Sequence, residues 1–346
     1  MNSSLKKAAI VTTTISSISV LCWELYVRSL GFDTSFDDDP SIWADKRREV
    51  YKTEEEATVF IGSSRIKFDL DINTWESLTG NHAIQLACVG SNPIPMLKDL
   101  ADDENFKGRL VVDVTEGLFF SPSTGSSSTP NKNLKFYKDE TRAQRASFLV
   151  STILESQLVF LDKDRLSLNA TLVGLRIPNR EGVFQFPIFP PDIGRCYFSR
   201  QEYMTDKFLT DTSQQNQTRK IWAFFGRMNR DKPPRGAKLD SILTVVKASV
   251  DKIKARGGQV FFVRTPSSGP LYEGEKRGFP RGIYWDELLK RTQCVGIHFA
   301  DYAGIDKLQC PEFSHLSQPD AIFYTKNLIK ILNEEKGWKF SKMTQP

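Results

Sequence analysis

The stretch ATVFIGSSR, Ala57–Arg65, decides the fold of this chain. Its apolar run is short, β-branched and aromatic, and it stops at Gly-Ser-Ser. A run of that kind reads as a buried strand of a parallel sheet entering a tight turn. HAIQLACVG, His82–Gly90, repeats the pattern of apolar strand followed by glycine. GRLVVDV, Gly108–Val114, is a third such strand, GQVFFVRTP, Gly258–Pro266, a fourth, and Val295–Phe299 a fifth. Short helices are predicted between the first three, at Ile72–Leu78 and Ile94–Ala101. Strand, helix, strand, helix, strand is a βαβαβ unit, so an α/β fold with a parallel sheet and helices on both faces is expected.

The rhythm breaks between about Phe119 and Asp231. A Ser/Thr/Pro/Gly-rich loop opens this stretch, a helix is predicted over Lys138–Leu161, and FQFPIFPPDIGRCYFSR follows. The aromatics are too dense for a disordered linker, so an insertion packing near the site as a cap is expected. Beyond it the pattern resumes. A helix over Leu239–Arg256 is stopped by Gly257-Gly258, a short one covers Tyr284–Arg291, and a closing helix runs from Pro319 to Glu334.

At the other end, AAIVTTTISSISVLCWELYV, Ala8–Val27, has the length of a bilayer-crossing helix. Lys6 and Lys7 precede it and Asp37-Asp38-Asp39 follow, which predicts a cytoplasmic N-terminus with the rest of the chain outside. It lacks a clear small-x-small cleavage site, so an uncleaved anchor over 1–30 is expected ahead of the competing readings, a cleaved signal peptide and a core helix, with a connector over 31–56 and an α/β domain over 57–338 with its insertion at 119–231. The net charge of +5 comes from interspersed residues, which argues against a nucleic-acid partner. Cys22, Cys88, Cys196, Cys294 and Cys310 form no C-x-x-C pair and no disulfide framework, and no metal or cofactor is expected. His82 begins a strand and His298 ends one. Asp301 and Asp306 near His298 do not make a metal set, and Asp113 inside the third strand is assigned no role.

A serine on the sharp turn after a buried strand presents its hydroxyl at the carboxyl edge of the sheet, where open α/β sheets place their sites. His315 is the histidine in a polar loop before a helix, within PEFSHLSQPDAIFYT, Pro311–Thr325. Glu312, three residues earlier, can bind one imidazole nitrogen and leave the other to take a serine proton.

Together these two elements resemble the SGNH (GDSL-like) hydrolase family, which has a Gly-Asp-Ser motif after its first strand and Asp-x-x-His before its last helix. Gly62-Ser63-Ser64 matches the first with Ser for Asp, and Glu312-Phe313-Ser314-His315 the second with Glu for Asp. HLSQPDAIFYTKNLI is similar to the run after the histidine in membrane-anchored members, such as those of teichoic acid D-alanylation and alginate acetylation. The resemblance covers the α/β segments and leaves out the middle insertion. It implies a three-layer α/β/α sandwich with a mostly parallel, flavodoxin-like sheet. It also implies Ser64 as nucleophile, His315 as base and Glu312 as its orienter, with Gly90 in the oxyanion hole. Asn92 offers a further donor, while a Gly turn capped by Asn before Pro93 is the structural alternative.

The family's third block carries an asparagine after the third strand. Thr115, Glu116 or Gly117 stands there. Arg264, Ser267 and Ser268, after the fourth strand, are candidate substrate-binding residues, with Arg281 a looser one; an ordered loop stapled by prolines and aromatics is the other reading of Val263–Leu289. The implied activity is a serine esterase or O-acyltransferase facing the extracytoplasmic side. Its implied substrate is a small acyl ester or an acylated cell-surface polysaccharide, with a membrane acyltransferase as a possible partner. The competing reading is a non-catalytic member that binds glycan or serves as a scaffold.

Overall fold

A computed structural model describes residues 3–51, 57–175, 186–228, 232–340 and 342. The end of the expected connector, 52–56, and residues 176–185 and 229–231 of the expected insertion lie outside the described residues. The chain divides into two compact units, Met1–Asp37 with Thr141–Gln185, and Asp38–Glu140 with Phe186–Pro346. This division differs from the expected one. Helix Pro40–Glu49 belongs to the larger unit, where Ile42–Arg47 are buried and the Trp43 indole donates to the Leu86 carbonyl at 2.9 Å. Much of the middle stretch is built into the same unit.

In the smaller unit, α1 (Ser3–Ser29) is long and apolar enough to cross a bilayer. The helix expected over Lys138–Leu161 is two helices. Ser128–Asp139 ends in the larger unit, and Arg142–Glu155 begins the second segment of the smaller one. Thr141 and Gln144 form a capping box that starts the second helix, a Thr-x-x-Gln signal present in the sequence.

The larger unit holds a five-stranded sheet of β1 (Ala57–Ile61), β2 (His82–Gln85), β3 (Arg109–Asp113), β4 (Gln259–Arg264) and β5 (Val295–His298). The order is β2-β1-β3-β4-β5 and every pairing is parallel, with Val59 opposite both Ile84 and Leu110, and Leu110 opposite Val260. Strand residues alternate between two apolar clusters, as side chains of a pleated strand must. Val59, Ile61, Val112 and Phe262 join one with Leu97, Val246 and Leu288. Phe60, Val111, Phe261 and Ile297 join the other with Trp75, Tyr324 and Leu328. Burial on both faces is why the strands read as unbroken apolar runs.

The order reverses between β1 and β3, because the connection from β2 to β3 passes over β1. At such a switch point the loops leave in opposite directions and open a crevice at the carboxyl ends of the strands. Gly62–Ser64 follows β1 there, and Asp113–Thr115 ends β3 beside it.

Candidate functional site

The turn after β1 requires glycine at its first position. A Cβ on Gly62 would stand 2.6 Å from the Asp113 Cβ and 2.8 Å from Ile66. Beyond it the two serines diverge. Ser63 is buried, its Oγ lies 2.7 Å from Thr115 Oγ1 and 3.3 Å from Asp113, and it accepts the Arg65 N–H as the cap of helix Ser64–Asp69. Ser64 opens that helix with its hydroxyl half-buried, and Ser64 Oγ lies 2.8 Å from His315 Nε2.

His315 is held from all sides. Its Nδ1 lies 2.9 Å from Glu312 Oε1, and the same oxygen accepts the backbone N–H groups of His315 at 2.6 Å and Ser314 at 3.1 Å. Phe313 adopts φ 80°, a left-handed conformation that a bulky side chain rarely takes. That turn brings the Glu312 carboxylate back onto the ring three residues later. The other Glu312 oxygen accepts the indole N–H of Trp222, from helix Thr212–Met228. Phe68 lies against the imidazole, ring centroids 4.6 Å apart, and Asp69 Oδ1 accepts the Leu316 N–H at 2.9 Å. Burial by itself raises the Glu312 pKa. The charge of His315 and the hydrogen bonds from His315 and Trp222 outweigh it and hold the carboxyl below its ordinary range. An ionised carboxylate at Nδ1 selects the tautomer whose Nε2 lone pair faces the hydroxyl.

The two oxyanion candidates separate. Gly90 sits in a left-handed turn, φ 60°, after the end of β2, where it is exposed. The backbone between strand and turn is pinned by Leu86 N–H to Phe60 O and Cys88 N–H to Gly62 O. Asn92, offered as a further donor or as the cap of a turn, has its side chain bonded to backbone. Its amide donates to the Phe119 and Ser121 carbonyls at 3.3 and 3.4 Å, and its oxygen accepts the Ile94 N–H. It staples the β3 loop and takes the first N–H of the following helix. After β3, Thr115 serves Ser63 and Asp113, and Glu116 pairs with Arg264.

Arg264, Ser267 and Ser268, expected as substrate-binding residues, are held in a network of structural bonds. The Arg264 guanidinium is fully buried, with Nε 3.0 Å from Glu116 and Nη2 2.5 Å from Glu275. Ser267 donates to Glu275 at 2.7 Å, and Ser268 exchanges hydrogen bonds with the Cys310 backbone. Glu275 lies on helix Gly269–Gly278, inside the stretch read as a loop, and its other oxygen takes Arg65, the neighbour of Ser64. Burial disfavours its charge, but Arg65 and Arg264 override that and pull its pKa down to about 2. A cavity of about 220 Å³ beside this network is lined by Glu116, Arg264, Tyr272, Trp285 and His298, among others, and includes Arg281 at its rim, where Arg281 pairs with Asp301. His298 Nδ1 accepts the Ala300 N–H, and burial followed by the positive charges of Arg264 and Arg281 pushes its pKa down to about 3. Asp113, buried below Ser63, also accepts Thr265 at 3.0 Å. Burial raises its pKa against the pull of Arg65 and its threonine partners.

Of the predicted residues, Ser64, His315 and Glu312 therefore come together, while Asn92, Arg264, Ser267 and Ser268 brace the loops around them. Sequence reasoning missed Trp222, Asp69, Arg65 and Glu275. Pro270 at the head of its helix was a readable signal for the element carrying Glu275. Trp222 has no local signal, since its role depends on a contact 90 residues away. No protein-family model matches the chain, and no curated protein matches it.

Proposed function

We propose that this chain is an SGNH-type serine esterase or O-acyltransferase, built as a three-layer α/β/α sandwich and working through a Ser64–His315–Glu312 triad. One observation carries the reading: Oγ to Nε2 at 2.8 Å and Nδ1 of the same ring to carboxylate at 2.9 Å. The two apolar clusters and the strand order support the layered fold.

In this reading His315 Nε2 takes the Ser64 proton as Oγ attacks an ester carbonyl. The tetrahedral oxyanion faces the backbone N–H groups of Ser64 and Gly90, to which no acceptor is paired among the described residues. The imidazolium, stabilised by Glu312, returns the proton to the departing alkoxide and leaves an acyl-Ser64. Water or a sugar hydroxyl, deprotonated by the same nitrogen, then releases the acyl group. The substrate class is an acylated cell-surface polysaccharide or small acyl ester. The domain faces the extracytoplasmic side on a single-pass anchor and is served by a membrane acyltransferase.

The test is labelling of the full chain by a fluorophosphonate probe, with turnover of a chromogenic acetyl ester. Both are expected in the wild type, and both should vanish in Ser64→Ala. A folded wild type inert to both would overturn the proposal. The commitment of the Asn92 amide to backbone carbonyls favours the second reading, a glycan-binding member without turnover, and inert protein that retains glycan binding would support it.

A further inference from the structure

The helix Arg142–Glu155, RAQRASFLVSTILE, has an apolar stripe and no buried residue. Ala146, Leu149, Val150, Ile153 and Leu154 recur at the i, i+3, i+4, i+7, i+8 spacing that normally marks the core face of a helix. Here that face points outward, and its four large side chains are 45% to 67% exposed. Arg145, Phe148, Ser151, Thr152 and Glu155 are the half-buried ones. Further along the same unit, helix Leu168–Gly174 repeats the arrangement, with Leu168, Leu172 and the adjoining Leu175 52% to 75% exposed. In water such stripes are an association liability, so their regular spacing on two helices of one unit calls for an apolar medium.

The same unit supplies that medium. Glu24, near the carboxyl end of α1, accepts the N–H groups of Val159 at 3.0 Å and Phe160 at 3.1 Å through its two oxygens. Arg28 bridges Glu24 at 2.6 Å and the Gln157 carbonyl at 2.8 Å. These bonds tie the turn just after helix Arg142–Glu155 to the level at which the apolar part of α1 ends. A bilayer core is about 30 Å thick, and this helix of 14 residues is only about 21 Å long, so it cannot cross. A short helix with an outward apolar stripe, tethered at the boundary of a membrane span, has the form of an interfacial helix.

From this geometry we infer that the segment Thr141–Leu175 is a second membrane-contacting element: helix Arg142–Glu155 lies in the lipid interface with Leu149, Val150, Ile153 and Leu154 among the acyl chains, and Leu168, Leu172 and Leu175 beside it. The occupant of the face is the bilayer that α1 crosses, so the inference rests on the anchor reading of α1. Two consequences follow. The unit is a membrane foot with three lipid-contacting helices rather than a single tether, and it resists rotation about the axis of α1.

The experiment uses the unmodified full chain in nanodiscs of a phospholipid with a diazirine in its acyl chain. After irradiation and digestion, lipid adducts are mapped by mass spectrometry. The expected result is adducts on Leu149, Val150, Ile153, Leu154, Leu168, Leu172 and Leu175 as well as over α1, and none on Phe148 or Thr152. Adducts confined to Ser3–Ser29 would overturn the inference and leave the anchor standing; this is also the result if a protein partner or a second copy covers the face. Adducts absent from α1 as well would overturn the anchor reading and this inference together.

Discussion

Replacing Glu312 by Gln probes the site at the point where the most bonds converge. The carboxylate accepts four donors: the Nδ1 and backbone N–H of His315, the Ser314 N–H and the Trp222 indole. An amide has one acceptor atom and one donor atom. If its oxygen stays on the His315 side, the NH₂ meets the Trp222 N–H, donor against donor. If it flips, the NH₂ points at Nδ1 and forces the proton onto Nε2, which then donates to Ser64 instead of accepting from it. Either way the imidazolium of the transition state loses its counter-charge. A wrong tautomer in this kind of triad costs roughly 10³–10⁴ in rate, which is about 4–5.5 kcal/mol of barrier. Stability falls less, by about 1–3 kcal/mol, because one buried donor is left unpaired. The assay is chromogenic ester turnover beside thermal melting, with Glu312→Asp as a conservative control that keeps the charge at a shorter reach. The sign of the pH dependence also follows. The Glu312 pKa lies below its ordinary 4.5, so its contribution to stability is present above that value and is lost as pH falls through the lower, folded-state pKa. A folded Glu312→Gln variant that turns over at close to the wild-type rate would refute the orienting role of this carboxylate.

Trp222→Phe keeps a ring near Phe189 but removes the indole donor to Glu312; turnover is expected to drop by roughly three- to tenfold, about 1 kcal/mol, and an unchanged pH–rate profile would count against it. Glu275→Ala leaves Arg65 and Arg264 buried without their shared carboxylate and is expected to destabilise by roughly 3–5 kcal/mol in chemical denaturation; a loss under about 1 kcal/mol would show that the guanidiniums find other partners. His82, bonded to Glu49 and Glu76, has its pKa raised to about 9, so its stabilisation is complete below its ordinary 6.5 and lost as pH rises through 9. After discounting for its 39% exposure, His82→Gln is expected to cost roughly 1 kcal/mol at pH 6 and nothing by pH 10, and a pH-independent difference would contradict this.

The strands were legible because each is buried on both faces, so Ala57–Ile61, Arg109–Asp113 and Gln259–Arg264 carry their signal in a handful of adjacent residues. The triad was legible for a related reason. Its serine and histidine sit at element boundaries, where a tight turn and a proline-headed helix mark the chain locally. The supporting groups were not. Arg264 and Ser267 look like ligands for an anionic substrate because nothing in their neighbourhood discloses Glu116 and Glu275, the carboxylates that neutralise and bond them. Asn92 presents the same ambiguity, since a capping amide and an oxyanion donor are written with the same residue. The break at Glu140–Thr141 was readable through its capping box, but the aromatic and apolar residues on either side mimic one long helix.

The paired serines show how little of a residue's role resides in its type. Ser63 and Ser64 are adjacent and chemically identical, yet the turn rotates one into the protein and the other toward the crevice. Ser63 meets Thr115 and Asp113 and caps the helix, so its lone pairs and proton are committed. Asp113 tolerates burial there through hydroxyl partners from two elements, Thr115 and Thr265, beside Ser63. At Ser63 a buried hydroxyl thus fills the turn, and a carboxylate stands beneath it on the neighbouring strand. What makes Ser64 the candidate nucleophile is that its one strong partner, His315 Nε2, is a base able to give the proton back.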